Sequence, residues 1–154
     1  MARDPIHELL DFLGVYEIKV AQVAIELREF VLNLFPEANE LIYDSYNAVA
    51  IAYSISDKQS DAFCHISVYE KYVNLGFNRG AELKDSKTIL QGTGKAIRHF
   101  TVKNFNELPR TYLIGLLNEA HCLALVSSTA KKQTIKGISI VKSSSANKKR
   151  PSKI

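Results

Sequence analysis

Five carboxylates in the first third of the chain have the spacing of a cation-binding set: Glu26, Glu29, Glu37, Glu40 and Asp44. Residues three apart share one face of a helix, so each glutamate pair can present its oxygen atoms together. Oxygen atoms are the ligands that hard cations prefer. The same spacing is typical of a solvated helix face, since acidic groups are stabilised near a helix N-terminus. We expect any metal held by two exposed pairs to be bound weakly, with no tightly bound cofactor.

A second candidate is the glycine-rich stretch LQGTGKAIRH at residues 90–99. A P-loop needs four residues between its first glycine and its Gly-Lys pair, because successive amides must wrap a phosphate. Here one residue separates Gly92 from Gly94, and a strand is predicted to follow where a dinucleotide site has a helix. We therefore predict a tight turn with a positive φ angle at Gly92 or Gly94. Lys95 and Arg98 are candidate anion ligands on its surface.

Histidine and cysteine stand side by side twice, as Cys64-His65 and His121-Cys122. Neighbouring side chains point to opposite faces of a strand and diverge by about 100° on a helix, so neither pair can chelate one ion. Buried structural cysteine is the simpler prediction. Because no set of nucleophile, base and oxyanion donors can be assembled from the spacings, we predict a non-enzymatic protein.

The elements that position these residues follow from the hydrophobic periodicity. Apolar residues at three- and four-residue spacing predict helices at 5–13, 20–35 and 107–126. Asn106 is the predicted cap of the last helix. PEANE is predicted to add one helical turn with Pro36 at its first position. Period-two alternation predicts strands at 47–56, 61–69, 72–77 and 97–102.

The order of these elements predicts an α+β domain. Short links between the strands favour an antiparallel meander of four to five strands, with the N- and C-terminal helices packed on one face. TIKGISIV at 134–141 can add an edge strand. We predict one domain at 1–126, followed by a basic, largely disordered tail at 127–154 that is rich in Ser and Lys.

The net charge of +4 is distributed unevenly. Residues 1–70 carry 12 acidic and 4 basic side chains, whereas residues 127–154 carry 8 basic and none acidic. The tail therefore predicts a non-specific, salt-sensitive contact with nucleic acid, or a solubilising end. No apolar stretch approaches the roughly 18 residues of a membrane span, and the first residues lack a signal-peptide pattern. We expect a cytoplasmic protein with no membrane partner.

The runs ELREFVLNLFPEANELIY and FCHISVYEKYVNLGFNRGAELKDSKTILQGTGKAIRHFTV, in this order, resemble the YdhG-like family of uncharacterised bacterial domains. The most specific pieces are Pro36 with Glu40, Leu75-Gly76-Phe77, Gly80-Ala81-x-Leu83 and Leu90-x-Gly92-x-Gly94-Lys95-x-x-Arg98. The resemblance implies helices packed on an antiparallel sheet. It also implies a frataxin-like role, in which an acidic surface binds iron and delivers it to proteins that assemble iron–sulfur clusters or haem. Glu40 lies in the shared motif.

Two functions follow as hypotheses. The first is a binding domain that holds ferrous iron weakly through the five carboxylates and passes it to iron-accepting proteins. The second is a module that recognises a protein or an anionic small ligand in the cleft between sheet and helices. Its candidate residues are Tyr72, Phe77, Arg79, Lys95 and Arg98. The positions of the acidic residues in the fold test the iron hypothesis, since one contiguous patch favours iron and scattered residues leave a binding domain of unknown ligand.

Overall fold

The computed structural model describes residues 2–127 and 136–148, which form an α+β domain as predicted. The helices of these residues are α1 His7–Leu13, α2 Ile18–Leu34 and α3 Arg110–Ser127. The strands are β1 Asn39–Asp44, β2 Val49–Ser54, β3 Ala62–Val68, β4 Val73–Phe77, β5 Arg98–Val102 and β6 Ser139–Ser144.

The strands form one mixed sheet in the order β5-β4-β3-β2-β1-β6. β1 to β5 are an antiparallel meander, whereas β6 lies parallel to β1 at the edge. The sheet therefore differs from the four to five antiparallel strands predicted. A parallel partner requires a long crossover connection, and here α3 and the residues after it lie between β5 and β6.

Strand β1 replaces the helical turn predicted for PEANE. Helix α2 ends at Leu34, and Phe35 leaves the helical region with φ −131° and ψ 72°. The sequence does not show an apolar alternation for β1, because two of its core-facing residues are acidic. Glu40 and Asp44 lie on the same face as Ile42, which belongs to the main core. Glu37 and Glu40 are consequently not on one helix face.

Both long helices pack on one face of the sheet, in contact with β3. The stripe of α2 is buried at Val20, Val23, Leu27 and Val31, as its spacing predicts. On the sheet, the row Ile42, Ile51, Ile66 and Leu75 faces these helices and is fully buried. The opposite face carries a much smaller apolar cluster of Leu41, Ala52 and Ala62.

The start of α3 differs from the prediction. Asn106 does not cap this helix: it lies in a 3-10 turn, Phe105–Glu107, and its backbone N–H donates to the Asn104 side chain. Helix α3 begins at Arg110, after Pro109, which has no N–H to contribute to a helix.

The sheet takes in part of the segment that the sequence assigns to the tail, because β6 comes from residues 139–144. The predictions for 128–135 and 149–154 lie outside the described residues. No described helix is both long enough and apolar enough to cross a membrane.

Candidate functional site

Three of the five predicted metal ligands lie on the surface. Glu26 and Glu29 are exposed on α2, one turn apart, as their spacing predicts. Glu37 is exposed in the link between α2 and β1, and its carboxylate lies 3.6 Å from Lys136 Nζ. Exposed pairs of this kind contribute at most about 1 kcal/mol, so Glu37 is free to exchange partners with solvent.

The buried Glu40 carboxylate accepts hydrogen bonds from three side chains of the protein. Its Oε2 accepts from Arg28 Nε at 2.7 Å and from the Tyr53 hydroxyl at 3.0 Å, and its Oε1 accepts from Ser139 Oγ at 2.7 Å. Burial raises the pKa of Tyr53, and the Glu40 carboxylate raises it further, so this hydroxyl stays protonated as a donor. The four side chains join α2, β1, β2 and β6. Glu40 is therefore part of a buried network and is not available to a metal.

Asp44 fills a similar position at the other end of β1. The buried Asp44 Oδ2 accepts from Ser144 Oγ at 2.9 Å and from Lys148 Nζ at 2.6 Å. Both partners come from β6 or the residues just after it. Asp44 thus anchors the C-terminal segment to the sheet.

The predicted carboxylates do not converge on one patch. Glu40 and Asp44 are buried on β1, whereas Glu26 and Glu29 are exposed on α2. Within residues 2–127 and 136–148, no three His, Cys, Asp or Glu side chains are grouped to hold a metal ion. The five carboxylates therefore do not form the contiguous acidic patch that the iron hypothesis expects.

The predicted anion-binding residues are also divided. Phe77 is fully buried in the core, and Arg79 forms an ion pair with Glu82. Tyr72 precedes β4, whereas Arg98 pairs with Phe77 at the strand's far end. At about 3.3 Å per residue, the length of β4 separates them. The five residues therefore do not surround one ligand.

The glycine-rich stretch is a turn. Gly92 has a φ of +132°, and the backbone at Gln91 pairs with His99. Arg98 Nη1 donates to the carbonyl oxygens of Gly94 and Ile97, at 2.7 and 2.8 Å, so the guanidinium braces its own loop. Lys95 is exposed on the same loop. The predicted positive φ angle is confirmed at Gly92.

The structure forms a cleft that the sequence analysis missed, between the end of α2, the last turns of α3 and the end of β2. Its volume is about 560 Å³. The apolar walls include Leu34, Ile55 and Leu125, and Glu37 and Lys136 also line it. Cavities of roughly 300–1,000 Å³ with mostly apolar walls and few polar groups are typical small-molecule sites.

Two rings in the wall of the cleft, Phe35 and His121, belong to a cluster of three that Phe63 completes. His121 stacks on Phe35 with ring centroids 4.7 Å apart, and the Phe63 ring meets His121 edge-on at 4.9 Å. Burial lowers the pKa of His121, which favours the neutral imidazole. The three residues are far apart in the sequence. The only local signal for this site is His121, a polar residue close to the apolar stripe of α3.

Comparisons of this chain with protein-family models, curated proteins and solved structures give no match. The family is not assigned. The resemblance to YdhG-like domains stays a prediction, together with the iron delivery that it implies.

Proposed function

We propose that this domain is a non-enzymatic binding module that holds a small carboxylate with an apolar body in the cleft at the end of α2 and α3. The observation that carries the proposal is the 560 Å³ cleft itself, with apolar walls and Lys136 among its described lining residues. Its volume fits a small molecule better than a folded partner. The proposal agrees with the second hypothesis from the sequence in the ligand class, an anionic small molecule. It differs in the binding residues, which are those of the cleft.

The chemistry of the lining indicates the ligand class. The stacked Phe35 and His121 rings offer flat apolar surface, which suits an aromatic or branched aliphatic body. The ammonium group of Lys136 can exchange the Glu37 carboxylate, 3.6 Å away, for a ligand carboxylate at little cost, because their pair is exposed. His121 packs against phenyl rings, an arrangement that favours binding over acid–base chemistry.

The test is a ligand-observed NMR titration with matched pairs of probes, such as phenylpropionate and phenylpropanol. We expect the carboxylate to bind more tightly than the alcohol, and Lys136→Gln to remove this preference. Leu125→Asp places a carboxylate in the apolar wall and should weaken binding at least about tenfold, because the ligand would cover this charge and its own carboxylate would be repelled by it. Val126→Asp is the matched control, because Val126 is 86% exposed and is not a lining residue.

Two results would contradict the proposal. One is that none of the probes binds at millimolar concentration. The other is that Leu125→Asp and Val126→Asp bind the carboxylate as tightly as the unchanged protein does.

The iron hypothesis can be tested with three of the five predicted metal ligands. Glu26, Glu29 and Glu37 are exposed and can be changed to Gln without breaking a buried ion pair, whereas Glu40 and Asp44 cannot. Anaerobic titration with ferrous iron should therefore compare the unchanged chain with the triple Gln variant. Weaker binding by the triple variant would support the hypothesis, and equal affinity would count against it.

A test of the predicted contact between the tail and nucleic acid requires a truncation that leaves the sheet intact. Truncation at Ser127 would remove β6 and the Lys148 partner of Asp44. A chain ending at Lys148 loses Lys149, Arg150 and Lys153 instead. If the tail binds phosphates, this shorter chain binds nucleic acid more weakly and with a shallower salt dependence.

A further inference from the structure

Two histidines flank a glycine on the sheet face that the long helices leave uncovered. His65 on β3 pairs with Gly76 on β4, and Gly76 pairs with His99 on β5. Directly paired residues point to the same side of a sheet, and Cys64, next to His65, belongs to the core on the other side. His65 and His99 therefore point to the same side of the sheet. Strand β4 lies between them, and at this position it carries Gly76, which has no side chain.

The His65 ring occupies the space above Gly76. A Cβ atom at position 76 would clash with Nε2, Cε1 and Cδ2 of the imidazole. Glycine weakens a strand interior and often marks a close approach by another group. Here the approaching group is the imidazole of His65, which leans from β3 over β4, the strand that lies between His65 and His99.

A hydrogen bond fixes which ring nitrogen of His65 carries the lone pair. His65 Nδ1 lies 3.0 Å from Asn78 Oδ1. Because a carbonyl oxygen only accepts, Nδ1 carries the proton and Nε2 carries the lone pair above Gly76. Metal-binding histidines are typically oriented in this way, by a hydrogen bond from the nitrogen that does not bind the metal. Burial lowers the pKa of His65; the hydrogen bond with Asn78 opposes this shift, and the proximity of His99 adds to it.

We propose that His65 and His99 bind one divalent transition-metal ion, Zn²⁺ or Ni²⁺, above Gly76. Imidazole nitrogen suits these metals, whereas Mg²⁺ and Ca²⁺ prefer oxygen. Both histidines are partly exposed, so water fills the remaining coordination positions and the ion is exchangeable. This site is independent of the cleft ligand and of the acidic residues on α2.

The test is titration of the full chain with Ni²⁺ and Zn²⁺, carried out in a Cys122→Ser background because the exposed Cys122 thiol is itself a metal ligand. We expect one bound ion, and we expect His65→Gln and His99→Gln each to lower the affinity at least about tenfold. His7→Gln is the control, since His7 is exposed on α1. Asn78→Ala keeps both ligands and should lower the affinity by about tenfold as well, through loss of the fixed tautomer.

Imidazole resonances in NMR spectra provide a second readout on the unchanged chain. Zn²⁺ should shift the ring signals of His65 and His99 and leave those of His7 and His121 in place. If His65→Gln does not fold, His99→Gln and these spectra decide the outcome. Unchanged affinity in His99→Gln, or equal shifts at all four histidines, would overturn the proposal.

Discussion

Arg28 Nε lies 2.7 Å from Glu40 Oε2, and the two side chains are 1% and 0% exposed. This ion pair joins α2 to β1 beneath the helices, with Tyr53 and Ser139 as further donors to the same carboxylate. A buried charge is tolerated when it is paired and hydrogen-bonded. Glu40, the predicted metal ligand that lies in the motif shared with YdhG-like domains, is therefore a structural group.

Removal of one partner from this pair should be costly. Glu40→Ala leaves the Arg28 charge buried without its carboxylate, which costs about 3–5 kcal/mol in comparable pairs. Urea denaturation measures the free energy of unfolding. Glu37→Ala is the control, because Glu37 is exposed, and it should lie within about 0.5 kcal/mol of the unchanged chain. Equal effects of the two changes would show that Glu40 is not a structural group.

The two glycines of LQGTGK should respond oppositely to alanine. Gly92 has a φ of +132°, and a Cβ there would lie 3.0 Å from the Ile97 carbonyl oxygen, so Gly92→Ala should destabilise the protein by about 1–3 kcal/mol. Gly94 has open space around its Cβ position and no positive φ. Gly94→Ala should be neutral, or stabilising by up to about 1 kcal/mol. Thermal unfolding of both variants checks the difference, and equal losses would contradict it.

The two cysteines should differ in reactivity. Cys64 is fully buried on β3, and burial raises the pKa of its thiol far above the usual range, so the reactive thiolate is suppressed. Cys122 is exposed on α3. A thiol reagent such as DTNB should label Cys122 alone in the folded protein and both cysteines in denaturant. Rapid labelling of Cys64 without denaturant would mean that β3 opens easily.

Stability should fall as the solution becomes acidic, in part because of His121. Burial lowers the pKa of His121 in the folded protein from the ordinary value of 6.5, so the unfolded chain takes up the proton first. The stabilising contribution is complete above pH 6.5 and is lost as the pH falls through that value towards the lower pKa of the folded state. Among the described residues that line the cleft with His121, Glu37 and Lys136 are the charged ones.

The variant His121→Phe isolates this effect. It keeps an aromatic ring between Phe35 and Phe63 but removes the titrating group. Between pH 7.5 and 5.5, denaturant unfolding should show a smaller loss of stability for this variant than for the unchanged chain. Parallel pH profiles would indicate that the His121 ring is hydrated in the folded protein.

The elements predicted well are those with one clear apolar face. The α2 stripe and the alternation in β2 to β4 identify elements whose buried side is made of hydrocarbon. Strand β1 was missed because Glu40 and Asp44 interrupt its inward face. Local periodicity registers a charge as exposed, whereas here each charge is neutralised by a residue from another element.

The candidate sites were harder to predict for the same reason. Carboxylate spacing correctly placed Glu26 and Glu29 on one exposed face of α2 but carried no sign of the partners of Glu40. The cleft needs Phe35 and His121 to meet, with Phe63 packed against both rings. Each of them looks like an ordinary core or surface residue within its own element.

The sequence by itself determined the fold class, the long helices, the turn at Gly92 and the uneven charge, because these depend on local periodicity, backbone sterics and composition. Only the tertiary structure decided the sheet order, the parallel edge strand β6 and the burial of Glu40. It also decided the cleft and the pairing of His65 and His99 across Gly76. Register and packing bring distant residues within a few ångströms, and no local pattern records those distances.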